Sequence, residues 1–155
     1  MSDTIAIQAA DVAPRSKPSN YPTVFAARMA GRIKRQLGDV FGLTNFGVNL
    51  TSLQPGAVSA LHHVHSRQDE FIYIIEGEAT LVVGDTEATL QSGMCAGFKA
   101  DGLPHHLENR SAAPVLYIEI GDRSEGDEVA YPADDLVAVR SGGAWVFRHR
   151  DGRPY

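Results

Sequence analysis

The sequence predicts a single-domain, all-β protein with the architecture of an antiparallel jelly-roll barrel. Short segments rich in β-branched and aromatic residues recur along the middle of the chain, and turns containing glycine or proline separate them. The chain has 155 residues and 43% of them are hydrophobic, so it can bury one full core. Successive antiparallel strands in one domain form a sandwich or a jelly-roll barrel.

The first third of the chain gives the weakest structural signal. Residues 1–22 contain three prolines and no sustained hydrophobic period, which predicts an extended or poorly ordered arm. Between residues 31 and 43, the spacing of Ile33 and Leu37 suits a helix, whereas the alternation of Ile33, Arg35 and Leu37 suits a strand. Glycines within this segment favour the strand.

Eight strands are predicted in the remainder of the chain. They cover residues 46–53, 70–77, 78–84, 86–90, 94–98, 115–121, 136–140 and 144–149. Gly84 and Asp85 suit a hairpin turn between the third and the fourth of them. We therefore expect an N-terminal arm over 1–22, a barrel core over 23–125, and a C-terminal extension over 126–155 that packs one or two strands on the barrel.

Composition and charge exclude several classes of function. The formal net charge is −5 at pH 7, which argues against a protein that binds nucleic acid or an anionic membrane surface. The single cysteine, Cys95, precludes an internal disulfide and fits a reducing compartment, and we interpret it as part of the core. The sequence shows no stretch of transmembrane length and no signal-peptide core at its start. We expect a cytoplasmic protein.

One local concentration of positive charge contrasts with this acidic composition. Its residues are Arg28, Arg32, Lys34 and Arg35. A run of this kind usually lies on a solvated face of a protein, and we interpret it in that way.

Five of the six histidines fall in two short clusters. The first cluster lies in the segment HHVHSRQDE, residues 62–70. Alternate side chains of a strand share one face, so His63 and His65 would point together into the barrel. Glu70 follows across a polar turn, and a hairpin there would bring its carboxylate beside the two imidazole rings. The alternative interpretation of this segment is an exposed polar loop.

The second cluster lies in the segment GLPHHLEN, residues 102–109, after a turn formed by Gly102 and Pro104. His105 is the fourth candidate ligand. Three imidazoles and one carboxylate suit one divalent transition metal, namely Fe, Mn, Ni, Zn or Cu, and a six-coordinate ion would keep two positions for water or substrate. The alternative interpretation is a turn whose histidines hydrogen-bond to backbone carbonyl groups.

These two segments resemble the two sequence motifs of the cupin superfamily. In the first motif, which contains His-x-His, a glutamate and a glycine, the matching residues are His63, His65, Glu70 and Gly77. In the second motif, Gly-x-x-His-x-x-x-Asn, the matching residues are Gly102, His105 and Asn109. The resemblance implies a jelly-roll of about six to eight strands with a metal ion inside the barrel. It also implies the metal ligands His63, His65, Glu70 and His105.

Each cluster contains a second histidine that competes for the ligand position. His62 fits the spacing from Gly56, the glycine at the start of the first motif, but His63 fits both the His-x-His pattern and the spacing to the glutamate. His106 adjoins His105, and the spacing to Asn109 favours His105. We expect Asn109 to fix the local backbone rather than to bind metal.

The strand predicted at 70–77 is apolar on both faces. Its inner face continues with Ile72 and Ile74. Its outer face consists of Phe71, Tyr73 and Ile75. An apolar outer face needs a cover, either a terminal arm or a second subunit, and we expect a homodimer.

The sequence leaves three functions open. It contains no G-x-S-x-G motif, no CxxC pair and no phosphate-binding glycine loop, so any chemistry would belong to the metal. The candidates are a metalloenzyme of the oxygenase or isomerase type, a non-catalytic module that binds a small sugar or carboxylate, and a structural or storage protein. The expected partner is a small molecule, not a nucleic acid or a membrane. Residues 42–132 also resemble small bacterial single-cupin proteins without an assigned activity, and one fold hosts many activities.

Overall fold

The computed structural model describes residues 4–155 and confirms the predicted all-β class. Strands make up 43% of the chain and helices 9%. Every pair of neighbouring strands is antiparallel. The strands form three sheets, and side chains from all three line one cavity. This is the arrangement of a jelly-roll barrel.

The described residues form twelve strands. In chain order they are β1 (Arg32–Gln36), β2 (Phe46–Leu53), β3 (Val64–His65), β4 (Glu70–Glu76), β5 (Glu78–Val83), β6 (Thr86–Gln91), β7 (Cys95–Phe98), β8 (His105–Glu108), β9 (Val115–Asp122), β10 (Glu128–Ala130), β11 (Val137–Ser141) and β12 (Ala144–Arg148). The helices are α1 (Thr23–Ala26) and α2 (Leu37–Val40), with short 3-10 turns at Ala9–Asp11 and Ala27–Met29. None of the helices in residues 4–155 has the length and apolar character needed to cross a membrane.

The three sheets divide the histidine and glutamate motifs among them. The largest sheet has the strand order β1-β2-β9-β4-β7, the second has the order β12-β11-β10-β3, and the third has the order β6-β5-β8. His65 therefore lies in the second sheet, Glu70 in the first and His105 in the third. The site forms where the three sheets meet.

Two groups of buried apolar side chains stabilise the barrel. The first lies between the largest and the smallest sheet and includes Leu53, Ile72, Ile74, Leu81, Leu107 and Tyr117. The second lies beneath the C-terminal strands and consists of Met29, Leu61, Val129, Tyr131, Leu136 and Ala138. Full burial of one such aliphatic side chain contributes about 1.5–3 kcal/mol.

Gly77 allows the chain to pass directly from β4 to β5, and so from one sheet to another. Its φ of 87° is a left-handed conformation that residues with a Cβ rarely adopt. A Cβ at this position would also lie 2.6 Å from the carbonyl oxygen of Pro114. The glycine that ends the first motif therefore has a structural role.

Most of the predicted strands lie within one or two residues of the observed ones, but their pairing differs in one place. The hairpin expected between the histidine segment and Glu70 is wrong, because β3 pairs with β10 whereas β4 pairs with β7 and β9. Residues 31–43 contain both predicted alternatives, strand β1 followed directly by helix α2. The hairpin turn at Gly84 joins β5 and β6 as predicted.

Two further expectations are wrong, because they concern residues whose partner strands cannot be seen in the sequence. Cys95 is exposed rather than buried, since it lies opposite Tyr73 on the outer face of the largest sheet. In the basic run, Arg32 is only 8% exposed and Lys34 lines the cavity. Strand alternation turns these two cations inward.

The N-terminal arm packs along the edge strand β1. The backbone N–H of Arg15 donates to the carbonyl oxygen of Lys34 at 2.9 Å. Arg35 donates to the carbonyl oxygen of Val12 at 2.5 Å, and Val12 and Ser19 are buried. From Val12 onward, the arm is therefore part of the folded barrel.

Candidate metal centre

Glu70, the first residue of β4, directs its carboxylate into the barrel. It lies opposite Phe98 on β7 and Gly121 on β9. The inward direction follows from strand alternation, since Ile72 and Ile74 on the same face are buried. The carboxylate thus lies at the mouth of the apolar core.

Three imidazole rings converge on one oxygen of this carboxylate. The Nε2 atoms lie 3.3 Å (His63), 3.5 Å (His65) and 2.9 Å (His105) from Glu70 Oε2. His63, Glu70 and His105 each offer a ligand atom, and these three atoms lie within 4.8 Å of one another. His63 and His105 are also direct backbone neighbours, with N–H···O distances of 3.3 and 2.9 Å.

The second nitrogen of each ring is held by the protein. The Nδ1 atom lies 2.8 Å from the Leu61 carbonyl oxygen in His63, and 3.4 Å from the Leu103 carbonyl oxygen in His105. In His65 it lies 2.6 Å from Asp127 Oδ2. Since these oxygens only accept, each Nδ1 carries a hydrogen, and the Nε2 atom of each ring faces Glu70.

The donor set fits a divalent transition metal. Three nitrogen lone pairs and a carboxylate directed at one region repel one another unless a positive charge lies between them. Imidazole and carboxylate are ordinary ligands of Fe, Mn, Ni, Zn and Cu. A cation, either a metal ion or protons on the rings, is therefore what this arrangement requires.

The charges within the cluster are coupled. Burial alone would raise the pKa of Glu70, but hydrogen bonds from His105 and His63 outweigh burial and hold this pKa well below its ordinary value. Burial alone would lower the pKa of His63, and Glu70 outweighs that effect and raises it. The carboxylate is therefore ionised at neutral pH and attracts a cation.

Asp127 holds one ring of the cluster in place, a contact that the sequence did not reveal. It is completely buried, and besides His65 it binds the backbone N–H groups of Arg67 and Gln68 through Oδ1, at 2.7 and 3.1 Å. In the sequence it is one of several acidic residues in an acidic link. Its role depends on contacts between distant parts of the chain.

The histidines that competed for the ligand positions face the other way. On β8, His105 and Leu107 are buried, whereas His106 and Glu108 are only half-buried. His106 pairs with His62, their Nδ1 atoms 2.9 Å apart, and its Nε2 lies 2.8 Å from Glu108. Neither ring is part of the cluster around Glu70. Asn109 fixes the local backbone as expected, donating to the Leu53 and Ala113 carbonyl oxygens.

A cavity of about 280 Å³ adjoins the cluster. Aromatic side chains form part of its wall, among them Phe98, Tyr117, Trp145 and Phe147. Phe98 stacks on His105 with ring centroids 3.6 Å apart and nearly parallel planes. The wall also contains charged groups, among them Arg15, Arg32, Lys34 and Glu119. The cavity therefore offers a small molecule both apolar and charged contacts.

The fold and this cluster define a class of protein, the jelly-roll barrels with a histidine and glutamate site inside. Residues 49–121 match the family model of the cupin domain. A solved structure from Silicibacter pomeroyi DSS-3, described as a sugar phosphate isomerase from a cupin superfamily, is 36% identical to this chain. That alignment covers 97% of this chain and 96% of the other, with a TM-score of 0.90. The chain belongs to the cupin superfamily, which confirms the resemblance seen in the sequence.

More distant structures share the fold alone. A protein from Acidithiobacillus ferrooxidans is 24% identical, with a TM-score of 0.73 over 87% of this chain and 94% of the other. The polyketide cyclase RemF from Streptomyces resistomycificus is 17% identical, with a TM-score of 0.63 over 77% of this chain and 79% of the other. No curated protein matches this chain significantly in sequence.

Proposed function

We propose that the protein is a metal-dependent isomerase of a small, sugar-type substrate, with one divalent ion held by His63, His65, Glu70 and His105. The observation that carries the proposal is the convergence of three Nε2 atoms on Glu70 Oε2, at 2.9–3.5 Å, beside a cavity. The similarity to the S. pomeroyi sugar phosphate isomerase favours an isomerase over an oxygenase, because it extends over nearly the whole of both chains.

The residues around the ion fix its position and limit the access of water. A divalent ion, when bound, supplies positive charge that stabilises negative charge developing on a substrate oxygen. The hydrogen bonds at the three Nδ1 atoms hold the rings in one orientation. Phe98 and Ile72 border the same cavity and exclude water from one side of it.

Isomerisation of a sugar also requires a base, because a proton moves between adjacent carbon atoms. We assign this role to Glu119, which lines the cavity on β9. Its carboxylate accepts hydrogen bonds from Lys34, Asn49 (3.1 Å) and Tyr117 (3.3 Å). Burial alone would raise the pKa of Glu119, but Lys34 outweighs burial and lowers it. The group is therefore ionised and able to accept a proton at neutral pH.

The test follows isomerisation directly. Protein loaded separately with Mn, Fe(II), Ni or Zn is incubated in D₂O with a panel of aldoses, ketoses and their phosphate esters, and the products are followed by NMR. We expect isomerised product that contains solvent deuterium at the carbon beside the carbonyl group. The activity should be lost in Glu70→Gln and strongly reduced in Glu119→Gln. It should persist in Glu78→Gln, a matched change on the exposed part of β5.

Other outcomes of this experiment identify the alternative functions. In one such outcome, a compound binds tightly with every metal tested and is recovered unchanged, without deuterium. That outcome would indicate a binding module instead of an isomerase. Uptake of oxygen that depends on Fe(II) and on the added compound would indicate an oxygenase.

We further propose that the protein is a homodimer that buries the outer face of β4. Phe71, Tyr73 and Ile75 on this face are 40%, 44% and 39% exposed. On the adjoining β9, Ile120 and Ile118 lie opposite Phe71 and Tyr73, so the apolar surface extends across two strands. Contiguous apolar surface of this kind is typical of a subunit interface.

A further inference from the structure

Three cationic side chains form one group in the wall of the cavity. They are Arg15, Arg32 and Lys34. Arg32 and Lys34 are two residues apart on β1, so they share its inward face. Arg15 belongs to the N-terminal arm, and its backbone N–H donates to the Lys34 carbonyl oxygen at 2.9 Å. The inner face of an edge strand in a barrel is ordinarily apolar, so this group requires an explanation.

The two arginines lie side by side. The Nη2 atoms of Arg15 and Arg32 both donate to the carbonyl oxygen of Pro18, at 2.7 and 3.0 Å. Burial lowers the pKa of Arg15, and repulsion from Arg32 lowers it further. Like charges repel strongly where water is scarce. The folded chain therefore holds two cations together at a cost in free energy.

The protein compensates this positive charge only in part. The partners of Arg32 are the carbonyl oxygens of Ser59 and Pro18, which carry no net charge. Within residues 4–155 neither Arg15 nor Arg32 forms an ion pair, although Arg110 and Arg123 on the surface pair with carboxylates. Lys34 alone of the three has a carboxylate partner.

That partner is Glu119. With one carboxylate against three cations, the group keeps a surplus of positive charge.

The guanidinium groups also have unused donors. In the described part of the chain, the Nε atoms of Arg15 and Arg32 are buried without a hydrogen-bond partner. The Arg32 residue as a whole is 92% buried, since only 8% of its surface is exposed. A buried donor of a charged group without an acceptor is unfavourable. An anion that entered the cavity would offer acceptors and neutralise the surplus charge.

We propose that Arg15, Arg32 and Lys34 bind the phosphate group of a phosphate monoester substrate. The planar guanidinium fork matches the geometry of phosphate oxygens. A phosphate monoester carries about 1.5–2 negative charges at neutral pH, which matches the surplus of three cations over one carboxylate. This inference rests on the proposed function, which makes the substrate a sugar. It narrows the substrate to a sugar phosphate.

The test measures the affinity of the metal-loaded protein for inorganic phosphate by calorimetry. We expect binding to the unaltered protein, weakened by about tenfold or more in Arg15→Gln, since a hydrogen bond between charged groups is lost. Arg15→Lys should bind phosphate more tightly than Arg15→Gln because it keeps the charge, but more weakly than the unaltered protein because it loses the planar fork. Arg110→Gln makes the same change of charge outside the cavity and should bind phosphate as the unaltered protein does.

Several results would overturn the assignment. Equal phosphate affinity in Arg15→Gln and the unaltered protein would place the phosphate elsewhere, for example on the metal. Absence of phosphate binding, or competition by acetate as strong as that by phosphate, would rule out a phosphate site. If Arg15→Gln does not fold, as judged by its circular dichroism, Arg15→Lys decides: a lower phosphate affinity than that of the unaltered protein supports the assignment, and an equal affinity overturns it.

The outcome is distinguishable from failure of the proposed function. If no sugar is isomerised and phosphate affinity still depends on Arg15, the phosphate site stands and the isomerase does not. If an unphosphorylated sugar is isomerised and phosphate affinity is independent of Arg15, the isomerase stands and the phosphate site does not. If both hold, Arg15→Gln should raise KM for the sugar phosphate and leave KM for the free sugar unchanged.

Discussion

The orientation of His65 depends on a single buried carboxylate. Asp127 lies 62 residues away in sequence, yet its Oδ2 is 2.6 Å from Nδ1 of His65. Its other oxygen binds the backbone of the turn that leads to Glu70. One side chain thus connects a candidate metal ligand to the segment that carries another.

We expect Asp127→Asn to weaken metal binding by about 10–100-fold, as is usual when a partner of a ligating histidine is changed. The amide can still occupy the space, but it fixes the imidazole tautomer less strongly. Competition with a chelator of known affinity measures the effect, and Asp122→Asn in the same acidic link serves as the control. Unchanged affinity in Asp127→Asn would contradict the role assigned to this contact.

Glu119 gives the stability of the protein a dependence on pH. Because the pKa of Glu119 is lowered in the folded protein, its charge stabilises the fold above the ordinary carboxyl pKa. That contribution is lost as the pH falls through the lower folded pKa. At neutral pH the free energy of unfolding should therefore be higher for the unaltered protein than for Glu119→Gln. This difference should shrink in acid. Denaturant titrations of both proteins at neutral and at acidic pH measure this difference. A difference that is the same in the two conditions would contradict the prediction.

For individual residues, the sequence pointed to those that stand in a short motif. It did not point to those whose contacts are with distant parts of the chain. His63, His65, Glu70 and His105 stand in two short motifs whose spacing is visible in the sequence. Asp127 and Arg15 acquire their positions only when the arm and the acidic link pack on the barrel. No periodicity in their own segments distinguishes them from neighbouring charged residues.

Strand β8 shows how one element separates two sets of histidines. Its alternation places His105 inside the barrel and His106 outside, where His106 pairs with His62. Register is decisive in such a strand, because a shift of one residue exchanges the two faces. The spacing to Asn109 favoured His105 over His106 as a ligand, and the structure places the His105 ring beside Glu70.

We expect the double variant His63→Ala/His65→Ala to lose metal down to the background level while its β-sheet spectrum persists. A core of this size does not need the ion in order to fold. Metal analysis of protein prepared without affinity histidines gives the content, and circular dichroism gives the fold. The matched variant His62→Ala/His106→Ala should retain the metal. Stoichiometric metal in the first variant would show that the ion binds elsewhere.

Apart from the β5–β6 hairpin, strand pairing could not be read from the sequence, whereas the positions of most strands could. The turn between β3 and β4 looked like a hairpin because it is short and polar. In the structure it carries the chain from one sheet to another. Pairing in a jelly-roll is set by contacts between distant strands, such as β2 with β9, and local turn chemistry does not encode them.

At the scale of the whole molecule, the outer face of β4 is an apolar surface that the described residues leave exposed. Cys95 lies beside Tyr73 on this surface, which explains why an exposed cysteine lies among apolar residues. Within residues 4–155 the arm packs on β1 and on Tyr131 and Phe147, and the outer face of β4 stays about 40% exposed. The sequence had left open whether an arm or a second subunit covers the face.

We expect the protein to be a dimer at micromolar concentration by light scattering, and Tyr73→Glu to shift it toward the monomer. A buried charge without a partner opposes association. Val146→Glu, on an exposed position of β12, should leave the dimer intact. A monomeric unaltered protein would contradict the prediction.

The packing of the arm has a consequence for how specificity varies among related proteins. The barrel strands supply the candidate metal ligands, whereas Arg15, Ser19 and Tyr21 in the arm supply part of the cavity wall. The candidate metal ligands and one of the three proposed phosphate contacts, Arg15, are therefore encoded in separate segments of the gene. We expect exchange of the first 22 residues between two such proteins to alter substrate preference while the candidate metal ligands stay in place, so the arm is a natural starting point for altering which molecules are accepted.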